Sequence, residues 1–409
     1  MTAPLPPRFL NNRTAPHIGT MVLLTGMSAL AMNIFLPSLP GMTAYFHTDY
    51  RVLQLSVALF FLFNACLQVV IGPISDSRGR RPVILWGIAL FLLATLGCIY
   101  APTAEAFLAF RMCQAVVAVA MVLTRAAVRD MYSQDEAASR IGYVTMGMAV
   151  VPMLGPAVGG ILDGLFGWQA NFWLLFLFGL FGFGLAYFDF GETAKKSGKS
   201  MAAQFREYPV LLRSPRFWGY ALAAAFSSGS FYAYLGGAPY VGSEVYGLDP
   251  EWLGIYFGAP AVGFFTGNFI TARLARRLGV NRMVLWGALL IAFGIGLSMI
   301  VMVLGLGSAE SFFGFMVFVG LGNGLTIANA TAGAMSVRPH LAGSASGLSG
   351  AIMMGGGAGL SALAGALLTP GSGAMPILWI MFLTAIACVL SILLVIQREK
   401  RLQVDGGLL

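Results

Sequence analysis

Charge is what this sequence has least of. Only 10% of its 409 residues are Asp, Glu, Lys or Arg, while 58% are hydrophobic. A soluble domain carries about a quarter charged residues, so a chain folded with its surface in water is excluded. Cysteine and histidine are scarce too, at four and three residues. Cys66, Cys98, Cys113 and Cys388 all lie inside apolar runs and read as small core hydrophobes, not disulfide or metal ligands. His17, His47 and His340 are scattered near the ends of such runs and form no metal-ligand pattern. No nucleotide-binding loop is present, so ATP is not the direct energy source, and no cofactor is expected. No acidic residue falls at the centre of an apolar run, and no Ser–His or clustered acid–base pattern points to an enzyme. The longest polar connection, 190–215, is too short for the soluble domain of a receptor. Residues 1–17 are Pro-rich and polar, and no small-residue cleavage site follows the first apolar run. That run is expected to serve as an uncleaved insertion signal.

What is present is apolar sequence in long runs. The mean hydropathy is +0.81 and glycine reaches 52 residues, as membrane helices favour. A bilayer crossing needs about 20 mostly apolar residues. Twelve runs qualify: 18–40, 52–74, 82–101, 105–128, 139–162, 168–189, 216–241, 251–273, 282–304, 309–334, 342–368 and 375–396. The expected fold is therefore an all-α membrane protein of twelve transmembrane helices. Residues 1–190 would form one six-helix bundle, 191–215 a cytoplasmic linker, and 216–409 a second bundle.

The net charge of +8 does not signal nucleic acid, because the basic residues fall in short connections between apolar runs. With both termini in the cytoplasm, every Lys and Arg except Arg51 and Arg111 falls on the cytoplasmic side. The outer loops carry Asp49, Glu105, Asp163, Glu244, Asp249, Glu251 and Glu310. This is the positive-inside bias, and an odd number of spans would break it.

The densest charge lies in GPISDSRGRRPVIL (72–85), where Asp76, Arg78, Arg80 and Arg81 share six residues. Such a cluster cannot sit in lipid and is expected as a tight loop at the membrane surface. A related segment, GNFITARLARRLGVNRMVLWG (267–287), occupies the equivalent place in the second half. Both run from Gly through a basic cluster to Leu-Trp-Gly, so the halves read as an internal repeat. Span 5 carries Gly155, Pro156, Gly159 and Gly160, a spacing that lets two helix backbones approach closely. Arg111 is the one basic residue well inside a span, and it sits in RMCQ with Gln114. An intramembrane cation is a functional residue by default, the alternative being a side chain that snorkels to the surface. Asn33 lies at similar depth in span 1, within SALAMNIFLPSLP.

Together these segments resemble the major facilitator superfamily. The first motif matches its G-x-x-x-D-x-x-G-R-R loop signature at Gly72, Asp76, Gly79, Arg80 and Arg81. Gly155, Pro156, Gly159 and Gly160 resemble the G-P-x-x-G-G element of its antiporter branch. Arg111 and Gln114 resemble the R-x-x-Q element of drug/proton antiporters. Segments 28–40, 124–132, 167–175, 234–257, 329–335 and 342–359 resemble the bicyclomycin-resistance-like (Bcr/CflA) multidrug exporters, which include chloramphenicol and florfenicol exporters. The resemblance implies two pseudo-symmetric six-helix bundles, with a substrate site between them near the midplane. It also implies a loop motif that latches one conformation, with Asp76 as acceptor. The implied activity is proton-coupled export of drugs or other small amphipathic molecules across a bacterial inner membrane, by a monomer whose partners are its substrate, protons and lipid. Asn64, Phe231, Tyr232, Tyr234, Asn323 and Asn329 are further candidates to line the cavity.

One departure matters. Where this branch usually has Asp before the hydrophobic-aromatic-Leu-Pro run, the chain has Asn33, which hydrogen-bonds but does not titrate. Either Asp76, Asp130 or Asp163 carries the proton, or the charge of the substrate does, or coupling is lost, or Asn33 is itself a substitution that traps one state. The alternative function is thus a single-metabolite exporter or facilitator with weak or no proton coupling.

Overall fold

The computed structural model describes residues 9–131, 151, 154–193, 208–338, 342–369 and 371–406, without the side chains at 72–73, 76–77, 129, 208, 276, 342–344, 346 and 402–406. Every regular element among the described residues is helical. Ten of the described helices are long and apolar enough to cross a bilayer. Two more complete the twelve: Leu154–Phe166, the described part of span 5, and Pro215–Tyr240, span 7, whose Ser and Gly content dilutes its apolarity. The rest of span 5, residues 139–150 and 152–153, lies outside the described residues.

The chain divides into two compact units: Met1–Ser200 with Asp249–Gly254, and Met201–Leu248 with Ile255–Leu409. In the first unit span 1 runs Ile18–Phe46, span 2 Tyr50–Arg78, span 3 Arg80–Ile99, span 4 Ala104–Met131 and span 6 Gln169–Asp189. Span 1 packs on spans 4 and 6, span 3 on spans 4 and 6, and span 2 on span 4. Spans 8 to 12 run Pro250–Leu278, Val280–Val303, Ala309–Ser336, Ala342–Leu367 and Met375–Gly406, all in the second unit except Pro250–Gly254. There span 7 packs on spans 10 and 12, span 9 on spans 10 and 12, and span 8 on span 10. The same neighbour pattern therefore occurs twice, shifted by six spans.

The outward faces stay apolar. Trp86, Leu93, Trp286, Leu304 and Leu394 are all exposed, a distribution suited to lipid and costly in water. Two cysteines depart from the expected core role: Cys98 and Cys388 are buried, but Cys66 and Cys113 are exposed. Where such an exposed helix face meets lipid, an apolar thiol remains at low cost.

The expected surface loop at 72–85 is not a loop. Span 2 stays helical to Arg78, and span 3 begins at Arg80. The whole reversal falls on Gly79, at φ +94° and ψ 152°. A side chain rarely adopts that conformation, whereas glycine does so freely. Gly279 repeats it between spans 8 and 9, at φ +80° and ψ 156°. The sequence repeat is thus a repeat of backbone geometry.

Candidate functional site

Span 1 is broken beside Asn33. Its first helix, Ile18–Asn33, ends there, and the chain passes through a turn at 34–35 and a tight turn at Leu36–Ser38 before Leu39–Phe46. Pro37 explains the position. It has no N–H to return to the Asn33 carbonyl four residues back, so the helix cannot continue. Inside a bilayer the freed carbonyls need donors from elsewhere.

Arg111 supplies one. Its side chain is fully buried, and Nη2 donates to the Ala31 carbonyl at 2.8 Å. Snorkelling is thereby overturned: the guanidinium points into the unit. Nη1 donates to Gln114 Oε1, and Gln114 Nε2 donates to Thr95 Oγ1 on span 3 at 2.8 Å. The guanidinium lies over the rings of Phe35 and Phe60, with ring centroids 4.4 and 4.0 Å from its carbon. Arg111 Nε has no partner. Among the described residues no carboxylate lies within ion-pair distance of Arg111. Charge-assisted hydrogen bonds and ring faces therefore offset the several kcal/mol that burying a cation costs.

Asn33 does not bond Arg111. Its Nδ2 donates to the Ala29 carbonyl of its own helix at 3.1 Å, and its Oδ1 is buried without a partner. Asn64 is buried one turn beyond Phe60 on span 2 and accepts from Gln68 Nε2 at 2.7 Å. Span 5 packs against the break. A Cβ on Gly159 would meet the Ile34 carbonyl, and one on Gly155 would lie 3.2 Å from Leu30 Cδ1. Pro156 and Gly160 are buried on the same short helix.

In the second unit the candidates do not share one face. Tyr234 donates its hydroxyl to the Phe257 carbonyl at 3.2 Å, where span 8 is broken at Gly258, and its ring lies 4.8 Å from that of Phe257. Phe231 stacks on Tyr234 at 6.2 Å. Tyr232 turns to span 11, where its ring fills the space a Cβ on Gly357 would need. Asn323 Oδ1 accepts from Ser227 Oγ of span 7 at 2.6 Å. Asn329 donates to the Leu325 carbonyl at 2.8 Å and to Thr271 Oγ1 of span 8 at 3.4 Å.

The loop motif sits apart from these residues. The side chains of Gly72 and Asp76 lie outside the described residues, so the Asp76 acceptor role is without a described contact, and Arg78 is exposed. Arg80 Nε pairs with Asp130 Oδ2 at 3.1 Å, and its Nη1 donates to Ser75 Oγ. Arg81 Nη2 donates to the Tyr187 carbonyl at 2.9 Å, and its guanidinium lies 5.6 Å from the Tyr187 ring centre. Sequence reasoning missed what braces this turn. Glu192, just past span 6, accepts the backbone N–H groups of Arg80 at 2.8 Å and Arg81 at 3.2 Å. It caps the first turn of span 3 with negative charge, where the helix dipole favours it. Asp189 ties down the segment before span 1, accepting the N–H of its N-cap His17 at 2.9 Å and of Leu10 at 2.7 Å.

The second unit has a matching brace. Glu399, near the end of span 12, accepts from Arg216 at 2.6 Å, Asn281 at 2.6 Å and Tyr220 at 3.1 Å. In each unit, then, a glutamate near or just past the end of the last span bonds the residues that follow the single-residue turn. The sequence signal available for it was an acidic residue at the end of the sixth span of each repeat.

The sequence profile of the Major Facilitator Superfamily matches residues 21–362. The MFS-type transporter YdgK of Bacillus subtilis (strain 168) is 30% identical over 401 residues, covering 92% of this chain and 95% of that relative. A bicyclomycin resistance protein homolog of Haemophilus influenzae is 28% identical, covering 84% and 87%. A chloramphenicol resistance protein of Pseudomonas aeruginosa is 29% identical, covering 78% and 76%. Among solved structures, a bacterial homologue of the human lysosomal transporter Spinster shares the fold at TM-score 0.72 and 17% identity, covering 94% of this chain and 96% of that one.

Proposed function

The chain belongs to the Major Facilitator Superfamily of multi-pass membrane transporters, and from that premise we propose that it exports drugs or other small amphipathic molecules across a bacterial inner membrane by alternating access. One observation carries the reading: a fully buried arginine, framed by two phenylalanines, holds the broken segment of span 1 beside an asparagine. A buried intramembrane cation at a helix break is an expensive arrangement, kept where a cargo or ion must be met. The names of two relatives, one for bicyclomycin and one for chloramphenicol resistance, support an amphipathic drug-like cargo. In this reading Asn33, Arg111 and Gln114 of the first unit meet the cargo, with Asn64 as a further candidate. In the second unit Phe231 and Asn323 are the candidates, with Tyr232, Tyr234 and Asn329 as packing supports. The turn at Gly79, with Arg80 and Arg81, belongs to the conformational latch. Both termini lie in the cytoplasm, which the basic residues at one set of span ends support.

A second reading, export with little or no proton coupling, is favoured by a specific feature. Arg111 has no carboxylate beside it among the described residues, and Asn33 cannot carry a proton. Transport of labelled chloramphenicol in proteoliposomes, with and without a pH gradient, tests both. Protein-dependent flux is expected, lost in an Arg111→Gln variant that still inserts. Asn33→Asp is expected to strengthen the response to the gradient. Flux unchanged by Arg111→Gln would refute the site. Strong coupling in the native chain, unaffected by Asn33→Asp, would remove position 33 from the mechanism.

A further inference from the structure

Two polar groups at the span 1 break are buried and unsatisfied: the Nε–H donor of Arg111 and the Oδ1 acceptor of Asn33. They belong to neighbouring pieces of structure, since Arg111 already holds the carbonyl of Ala31, two residues before Asn33. Buried polar atoms are nearly always paired, so a donor and an acceptor left open together call for a ligand that supplies both complements. The donor also carries a full charge that no described carboxylate neutralises. Its Nη1 and Nη2 are each engaged once, and two rings lie against the guanidinium. The donor without a partner is on the Nε edge, buried in this conformation, and a guanidinium edge is the geometry that a planar carboxylate fits.

We propose that the cargo of this chain is a small organic anion, a carboxylate on an amphipathic body, which Arg111 takes through its Nε edge while the Asn33 amide oxygen accepts a hydrogen bond from the same molecule. The proposal rests on the transport reading and on the span 1 site, not on proton coupling. The neutral residue at position 33 then has a reason. An acid there would compete with the cargo for Arg111, whereas an amide leaves the cation to the cargo and still offers an acceptor. Phe35 occupies the two-residue turn of the break, so the ring that covers the guanidinium sits on the one non-helical stretch of span 1. Energetics agree. A potential of about 100 mV, negative inside, sustains an outward monoanion gradient of roughly fifty-fold, so anion export needs no titrating side chain.

The test is ligand-dependent thermal stabilisation of the purified full-length chain at fixed pH and ionic strength. The probes are indole-3-acetate, its neutral amide indole-3-acetamide, and chloramphenicol. The acid is expected to raise the unfolding midpoint and to bind at least about ten-fold more tightly than the amide. Arg111→Gln is expected to erase that preference, and Asn33→Asp to weaken binding of the acid. Should Arg111→Gln fail to fold, the acid–amide comparison in the native chain and in Asn33→Asp decides. Equal binding of acid and amide, no binding of the acid, or a preference that survives Arg111→Gln overturns the proposal. Stabilisation by chloramphenicol without the acid leaves drug export standing and removes the anion. Stabilisation by the acid without chloramphenicol does the reverse.

Discussion

Replacing Gly159 with alanine tests whether span 5 is held against the break of span 1. An alanine Cβ would lie 2.8 Å from the Ile34 carbonyl carbon and 3.2 Å from its Cγ1, with the carbonyl oxygen nearer still. Ordinary contact begins at 3.4 Å, so 3.4 less 2.8 requires the backbones to part by at least 0.6 Å. The obstacle is main chain, so no rotamer change relieves it. A gap of that size forfeits about a quarter to a half of the attraction at each atom pair along the interface. Overpacking of this kind costs about 1–3 kcal/mol. The matched control is Gly184→Ala on span 6, where nothing lies within 4 Å of the new methyl. Gly159→Ala is expected to lower the unfolding midpoint of the detergent-purified protein, read through the buried Cys98 and Cys388 with a thiol-reactive dye. Gly184→Ala is expected to stay within about 0.5 kcal/mol of the native chain. Equal midpoints for the two variants would refute the close approach of span 5 to Ile34.

The two single-residue turns give a paired prediction. Gly79→Ala and Gly279→Ala each force a side chain into a positive-φ region that is essentially glycine's alone, at a cost of about 1–3 kcal/mol. Gly79 has a further obstacle, since its Cβ would lie 3.1 Å from Glu192 Cδ, while Gly279 has open space. Gly79→Ala should therefore be the more destabilising in thermal unfolding, and the reverse order would contradict the Glu192 brace. Glu399→Ala leaves Arg216 and Asn281 without their shared acceptor, while Tyr220 keeps Asn281 Oδ1 at 2.7 Å. It should cost about 1.5–3 kcal/mol and raise amide exchange selectively at residues 280–284. Uniform exchange across the unit would show that the brace is not local.

Much of the architecture was legible because a bilayer imposes length and apolarity together. The twelve runs emerge from hydropathy, and the 72–87 and 267–287 repeat marks the two units. The breaks were not legible in the same way. Hydropathy averages over 20 residues and is blind to the breaks at 34–35 and 258, although Pro37, four residues after Asn33, was a signal for the first. The loop expected at 72–85 shrank to one residue because glycine alone can reverse direction at φ +94°. Arg111 stood out as an intramembrane cation, and the R-x-x-Q spacing brought its partner Gln114 with it, but the other partners did not stand out. They are a backbone carbonyl 80 positions earlier and two rings, none of which has a sequence pattern. Tyr232 and Tyr234 were grouped as one aromatic lining. A helix turns about 200° over two residues, and the structure sends them to spans 11 and 8.

Each unit breaks a membrane helix and caps the break from another span, and the two caps differ in charge. The break of span 1 is held by the Arg111 guanidinium on Ala31, and that of span 8 by the Tyr234 hydroxyl on Phe257. Without water each freed carbonyl needs a donor, so both residues have a structural duty. Only Arg111 brings a field as well. The duties separate by substitution. Tyr234→Phe removes the donor alone and leaves the Phe257 carbonyl unsatisfied, at a cost of about 1–3 kcal/mol. Its effect should appear as a lower unfolding midpoint, with transport by the surviving fraction near native. Arg111→Gln keeps an amide donor for Ala31 and removes the charge. It should fall less in stability than Tyr234→Phe, because the loss of a hydrogen bond is offset by relief of a buried cation, yet lose transport per folded molecule. If instead transport tracked the folded fraction in both variants, Arg111 would be a capping residue like Tyr234, and the charge at the span 1 break would have no part in moving cargo.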